Sequence, residues 1–351
     1  MLSDVAQLVD ISYDFGRQVR GDHVVAEALR SALGAQKDVG GYNEHLHAAW
    51  QLVKSSRQAL SIDNVLDALE DPKASLVGKA GIVRSILASE GKLDLSGWVE
   101  HFPDQIKIQS YSDTWLDRLV KLLTENVRKS EIGDIFNNFA LINFNYDRIV
   151  EQYLPFAIAE YYGVPVQDIR ELYSSVPVFR PYGKAGSLEW EKGSETVRFG
   201  HDGSGDTQSA MSQILTFTEQ VEDKDLVSGI HGVISAADRI VFLGFGYHRP
   251  NLKVLSARAQ PHVQILGTSF GMSKSDQAVV CDELEDVFGL SEIPVLKDGG
   301  FVSLHPLKCS EFMGEIWRTL TAEPRESPAM FEPHSLESSY PELPNFGGFS
   351  R

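Results

Sequence analysis

Three short apolar runs, each followed at once by a helical pattern, constrain the fold of this chain more than any other feature. FALINF (139–144) leads into an amphipathic pattern from Ile149 to Ala159. RIVFLGFG (239–246) precedes a helix-like stretch that starts near Asn251. HVQILG (262–267) leads to Ser273 and Asp276, which resemble a capping box for a helix ending near Phe288. VPVF (176–179) and FVSL (301–304) are weaker strand candidates. Strands alternating with helices predict an α/β fold, a mostly parallel sheet with helices on both faces. Ligands in such sheets gather at the carboxyl ends of the strands.

A helical region, residues 1–135, precedes this α/β region at 136–321. Asp22 is placed to cap a helix carrying Val24, Val25, Ala28, Leu29 and Leu33 at helical spacing. SIDN at 61–64 opens another helix, and Ser112 or Asp113 a third, with Leu116, Leu119, Val120, Leu122 and Leu123 on one face. Residues 186–208 are rich in Gly, Ser, Asp and Glu and read as a long loop. Residues 322–351 combine Pro, Ser, Gly and Glu without periodicity and read as a disordered tail.

Composition narrows the function. The net charge of -17 argues against nucleic acid, whose partners usually show a basic face. No apolar run approaches the roughly 20 residues of a membrane helix. The amino terminus lacks the basic start and apolar core of a secretory signal. Two cysteines, Cys281 and Cys309, fit a reducing cytoplasm and are too few for a four-thiolate zinc site, so no metal is expected. His45 and His47, two apart on a helix, point to different faces.

Four strand ends carry the candidate chemistry. Asn145 and Asp147 follow the first run, where polar groups project over the sheet. Asn145 offers a donor and an acceptor for a water or a ribose hydroxyl. Asp147 is also placed to cap the next helix, and both residues read equally as plain helix starters. Tyr182-Gly183 lies in a proline-bounded turn, where Gly permits close backbone approach. Gly244-Phe245-Gly246-Tyr247 flanks the second run, without the third glycine of a dinucleotide fingerprint. Gly267-Thr268 ends the third, with hydroxyl donors at Thr268 and Ser269. Ordinary turns account for each of these as well.

Taken in order, the four places resemble the bacterial sirtuin-like family. NFNYDRIVE (143–151) is similar to its Asn-Tyr-Asp segment with a following Glu, here Glu151. PYGKAG (181–186) looks like the place of its His-Gly, FLGFGYHRPNLKVL (242–255) like the floor of its NAD pocket, and ILGTSFG (265–271) like the strand end against the adenosine half. The resemblance covers roughly residues 60–290 and implies a Rossmann-like sheet. It implies NAD as substrate or ligand, hydrolysis to nicotinamide and ADP-ribose, and service in bacterial antiviral defence. Carried over by position, it implies catalytic roles for Asn145, Asp147 and Tyr182. It implies contacts to NAD from Phe144, Gly183, Gly244, Phe245, Gly246, Tyr247, Gly267 and Thr268.

The family's opening strand and glycine-rich loop are not found in the chain, and Tyr182 stands where the family has His. Tyrosine, with an ordinary pKa near 10, is a poor neutral-pH base. These departures support an alternative, a module that holds NAD, ADP-ribose or a partner protein without turnover. A third reading places the first strand upstream of Met1. A homo-oligomer and a defence-system partner both remain open.

Overall fold

The computed structural model describes residues 1–35, 41–93, 95, 108–193, 195–216, 219, 223–291 and 301–322. It is a mixed α/β structure rich in helix. The expected tail from 323 onward lies outside the described residues.

The amino-terminal part opens with α1 (Leu2–Val9), β1 (Ser12–Asp14), β2 (Arg17–Arg20) and α2 (His23–Ala35). It continues with α3 (Tyr42–Ser56), α4 (Ile62–Leu69) and α5 (Pro72–Glu90). The β1–β2 hairpin departs from the all-helical expectation. Its two-residue turn, Phe15 (φ 44°) and Gly16 (φ 80°), has the left-handed pair that matches strand twist. Asp22 caps α2 by accepting from the Val25 amide (3.0 Å), and Ser61 caps α4 through Asn64 (3.2 Å). α6 (Trp115–Thr124) is capped by Thr114 rather than Ser112 or Asp113. Asp113 takes a positive φ of 63° just before that cap.

The α/β part runs β3 (Leu141–Ile142), α7 (Ile149–Tyr162), α8 (Val166–Tyr173), β4 (Val178–Phe179), α9 (Ser204–Met211) and α10 (Lys224–Ala236). There follow β5 (Arg239–Phe242), α11 (Arg249–Val254), β6 (Gln264–Thr268), α12 (Lys274–Val287), β7 (Val302–His305), α13 (Cys309–Glu315) and α14 (Trp317–Thr321). Ser273 caps α12 as the sequence predicts. The long loop is shorter than read, because α9 begins at Ser204.

The described strands form three sheets rather than one. β1–β2 is antiparallel, β3–β4 parallel, and β5-β6-β7 parallel in that order. Both parallel sheets are lined by the same two apolar layers. Leu141, Val178, Leu243 and Leu266 pack with α6, α7, α8 and α13. Ile142, Phe179, Ile240, Phe242, Ile265 and Val302 pack with α10, α11 and α12. Period-two alternation explains this division, since successive side chains on a strand face opposite ways. A third core joins α1–α5 to Ala185, Val197, Ala210, Met211 and Ile214, which belong to the segment between β4 and α10.

Candidate functional site

The turn after β3 is held from three directions. The Asn143 side-chain oxygen accepts the Asn145 amide (2.9 Å). Asp147 accepts the Ile149 amide (3.2 Å) from the position before Arg148, the N-cap of α7. Arg180, just past β4, donates to the Asn145 carbonyl (2.8 Å). The same guanidinium is pinned by Glu151, one turn into α7, at 2.8 and 2.5 Å. Both side chains are buried, so this ion pair is dry and directional. The other carboxylate oxygen of Glu151 is buried without a hydrogen bond among the described residues. The Asn145 side chain is left exposed, with no hydrogen bond among the described residues. Tyr146 turns away: its hydroxyl donates to the Leu215 carbonyl (2.6 Å), and it packs on the amino-terminal core.

Phe144, the neighbour of Asn145 in the chain, belongs to an aromatic cluster drawn from three strand ends. The Phe144 ring meets Phe245 at 5.2 Å and Tyr182 at 6.0 Å, and Phe245 meets Tyr247 at 5.3 Å. These tilted and edge contacts suit ring quadrupoles and give a stiff apolar surface. Tyr182 is buried and donates its hydroxyl to the Asn251 side chain (2.9 Å). Burial pushes its pKa up to about 12, with Asp63 adding to the shift. The hydroxyl is therefore protonated at neutral pH.

The glycines separate into two kinds. A Cβ on Gly183 would lie 2.0 Å from the Gln213 carbonyl oxygen, and φ is +75°. One on Gly267 would lie 2.3 Å from the Tyr247 hydroxyl. A side chain at either glycine would therefore collide with the protein's own groups. Gly244 (φ +62°) and Gly246 are exposed at the rim. The Gly244 amide donates to the Thr268 hydroxyl (2.8 Å), and the Thr268 carbonyl accepts from Tyr247 (3.0 Å). Tyr247 has φ 51°, a left-handed conformation that a bulky residue adopts only under constraint. Next to Thr268, the Ser269 hydroxyl is buried and without a hydrogen bond among the described residues. The half-buried Cys309 thiol lies against Thr268 and Gly244, and burial pushes its pKa up.

The structure thus gathers Phe144, Asn145, Tyr182, Gly244, Phe245, Gly246, Tyr247 and Thr268 at one edge, with Asp147 bonded to the Ile149 amide and Gly183 packed against Gln213. Sequence reasoning missed Arg180, Asn251 and Cys309. It also missed the pair Glu90–Arg148, which locks the start of α7 from behind. Their partners lie tens of residues away, so no local pattern marks them. Among the described residues, no group of three or more His, Cys, Asp or Glu is placed to hold a metal. No helix among them is long and apolar enough to cross a membrane. Comparison with known proteins adds no relative: no family model matches the chain, and no curated protein or solved structure does.

Proposed function

We propose that the protein binds NAD at the carboxyl ends of β3, β4 and β5 and hydrolyses it to nicotinamide and ADP-ribose. In this reading the chain is sirtuin-like, and its two parallel sheets are portions of one Rossmann-like layer. The observation that carries it is the exposed Asn145 side chain, next in the chain to Phe144, whose ring meets Phe245 and Tyr182. Cleavage breaks the bond between the ribose carbon and the nicotinamide nitrogen, and the electron pair leaves with nicotinamide. Water adds to the carbon and gives up a proton. The transition state is oxocarbenium-like, so aligned dipoles and a placed water lower its energy. The Asn145 side-chain oxygen suits the attacking water, and its side-chain nitrogen a ribose hydroxyl. Arg180 and Glu151 act as positioning residues, because they fix the main chain of Asn145. NAD loss in an infected cell fits a defensive role, with an oligomer or partner protein as trigger.

The test is nicotinamide release from NAD by the purified protein and by Asn145→Ala. A loss of about 100-fold or more is expected, the scale of removing one aligned polar group from a reaction centre. Equal release from the two proteins overturns the reading. Tyr182 favours a second reading, ligand binding without turnover, because its hydroxyl is protonated and committed to Asn251. Calorimetric binding of NAD or ADP-ribose without nicotinamide release would establish that second reading instead.

A further inference from the structure

Asn145 is anchored from the α/β part through Asn143 and Arg180, and its neighbour Tyr146 is anchored from the amino-terminal part. The Tyr146 hydroxyl donates to the Leu215 carbonyl (2.6 Å), and the Tyr146 carbonyl accepts the Ala185 amide (2.8 Å). Burial pushes the Tyr146 pKa up, with Asp63, Tyr182 and Glu219 adding to the shift, so the hydroxyl keeps its proton at neutral pH. Leu215 is itself held, its amide donating to the Tyr182 carbonyl (2.9 Å). The next residue, Thr216, is fully buried and gives its amide (2.8 Å) and its hydroxyl (3.2 Å) to one carboxylate oxygen of Glu219. The other Glu219 oxygen takes the ammonium of Lys79 (2.6 Å), whose side chain is only 12% exposed. Lys79 lies on α5, which packs through Val77, Ala80, Ile82 and Val83 into the amino-terminal core. A continuous run of bonds thus leads from α5 through Glu219 and residues 215–216 to the residue beside Asn145.

We propose, resting on the reading of Asn145 as the catalytic side chain, that this run is a strut by which the amino-terminal helices position Asn145, with Tyr146 and Lys79 as positioning residues. Neither side chain needs to touch NAD. Leu215 and Thr216 have no regular secondary structure of their own, so side-chain bonds set the place of the carbonyl that Tyr146 grips. The Lys79–Glu219 bond is charge-assisted and largely shielded from water, which makes it stronger and more directional than a surface pair. Asn145 is therefore spanned between two bodies. Arg180 and Glu151 tie its carbonyl to α7, and the strut ties its neighbour to α5. A misplacement of about 1 Å at a reacting group costs up to about 100-fold in rate, so the strut acts on turnover more than on binding. Cutting it at either end loosens the same turn, and the two losses overlap rather than multiply.

The experiment compares the full chain with Tyr146→Phe, Lys79→Met, Lys79→Arg, and Tyr146→Phe combined with Lys79→Met. Nicotinamide release gives kcat and KM, and hydrogen exchange follows the Asn145, Ala185 and Leu266 amides. Phe keeps the ring of Tyr146 and deletes only the donor, while Arg keeps a charge for Glu219. Tyr146→Phe and Lys79→Met are each expected to lower kcat by about tenfold and to leave KM within about twofold. The combined variant should stay within about twofold of the slower single one, and Lys79→Arg should recover most of the rate. The Asn145 and Ala185 amides should exchange about tenfold faster in both loss variants, with Leu266 of β6 unchanged, which separates a loosened turn from a loosened fold. Unchanged exchange at Asn145 and Ala185 would overturn the strut, as would an equal rise at Leu266. Losses in kcat that multiply to about 100-fold, or an unchanged kcat in both single variants, would overturn it too. A wild-type protein that releases no nicotinamide removes the catalytic reading of Asn145, and the exchange rates then decide the strut by themselves.

Discussion

Glu90→Gln should cost the protein more stability than any other single-atom exchange among the described ion pairs. Glu90 and Arg148 are 1% and 0% exposed. One carboxylate oxygen accepts the Arg148 main-chain amide (2.9 Å) and Nε (3.3 Å), while the other accepts Nη2 (2.5 Å). The guanidinium also donates to the Val197 carbonyl (2.5 Å) and lies 5.7 Å from the Phe199 ring. Glutamine keeps the shape but strands a buried cation, which costs about 3–5 kcal/mol when a partner is lost. The retained amide oxygen places the expected loss near the lower figure. Unfolding midpoints of large domains move by about 2–4 °C per kcal/mol, so a fall of about 6–12 °C is expected by calorimetry. Replacing both partners, Glu90→Leu with Arg148→Met, should recover most of it, because the penalty belongs to the unpaired charge. A fall below about 2 °C for Glu90→Gln, or a double variant no better than the single one, would refute this reasoning.

Two further predictions concern the crevice and the tyrosines. Gly267→Ala pushes a methyl into the Tyr247 hydroxyl and should destabilise by about 1–3 kcal/mol in urea titration. Adding Tyr247→Phe, which deletes that oxygen, should return part of the loss, and no return would exclude the clash as cause. Burial raises the Tyr182 and Tyr153 pKa values to about 12 from an ordinary 10. A group with a raised folded-state pKa stabilises fully below its unfolded value, and that stability is lost as pH climbs through the folded one. The urea midpoint should therefore fall between pH 10 and pH 12, and a flat or rising profile would count against buried, neutral tyrosines.

The strand ends were legible because apolar runs followed by helical periodicity survive without long-range information. The run RIVFLGFG (239–246) begins on β5, which ends at Phe242, and HVQILG (262–267) overlaps β6, which starts two residues later. The β1–β2 hairpin was not legible, since its strands are too short to show alternation and Phe15-Gly16 is an uncommon turn pair. The site was half legible. Asn145, Tyr182 and Phe245 stood out by their place after strands, whereas the ring contacts that join Phe144, Tyr182, Phe245 and Tyr247 are tertiary. The reasons for Gly183 and Gly267 were not legible, because Gln213 and Tyr247 fill those spaces only once the chain has folded. Tyr182 was read by position, whereas its commitment to Asn251, 69 residues on, is a tertiary fact.

The third core sets a rule for anyone who cuts or grafts this protein. Residues 1–90 look like a detachable cassette along the chain, yet Ala185, Val197, Ala210, Met211 and Ile214 complete their interior. The excursion after β4 works as a clasp, so the unit that moves together is not continuous in sequence. A fragment ending near residue 90 would expose the apolar side of α5, and one beginning there would uncover the clasp. Exchange between relatives would have to carry both pieces at once.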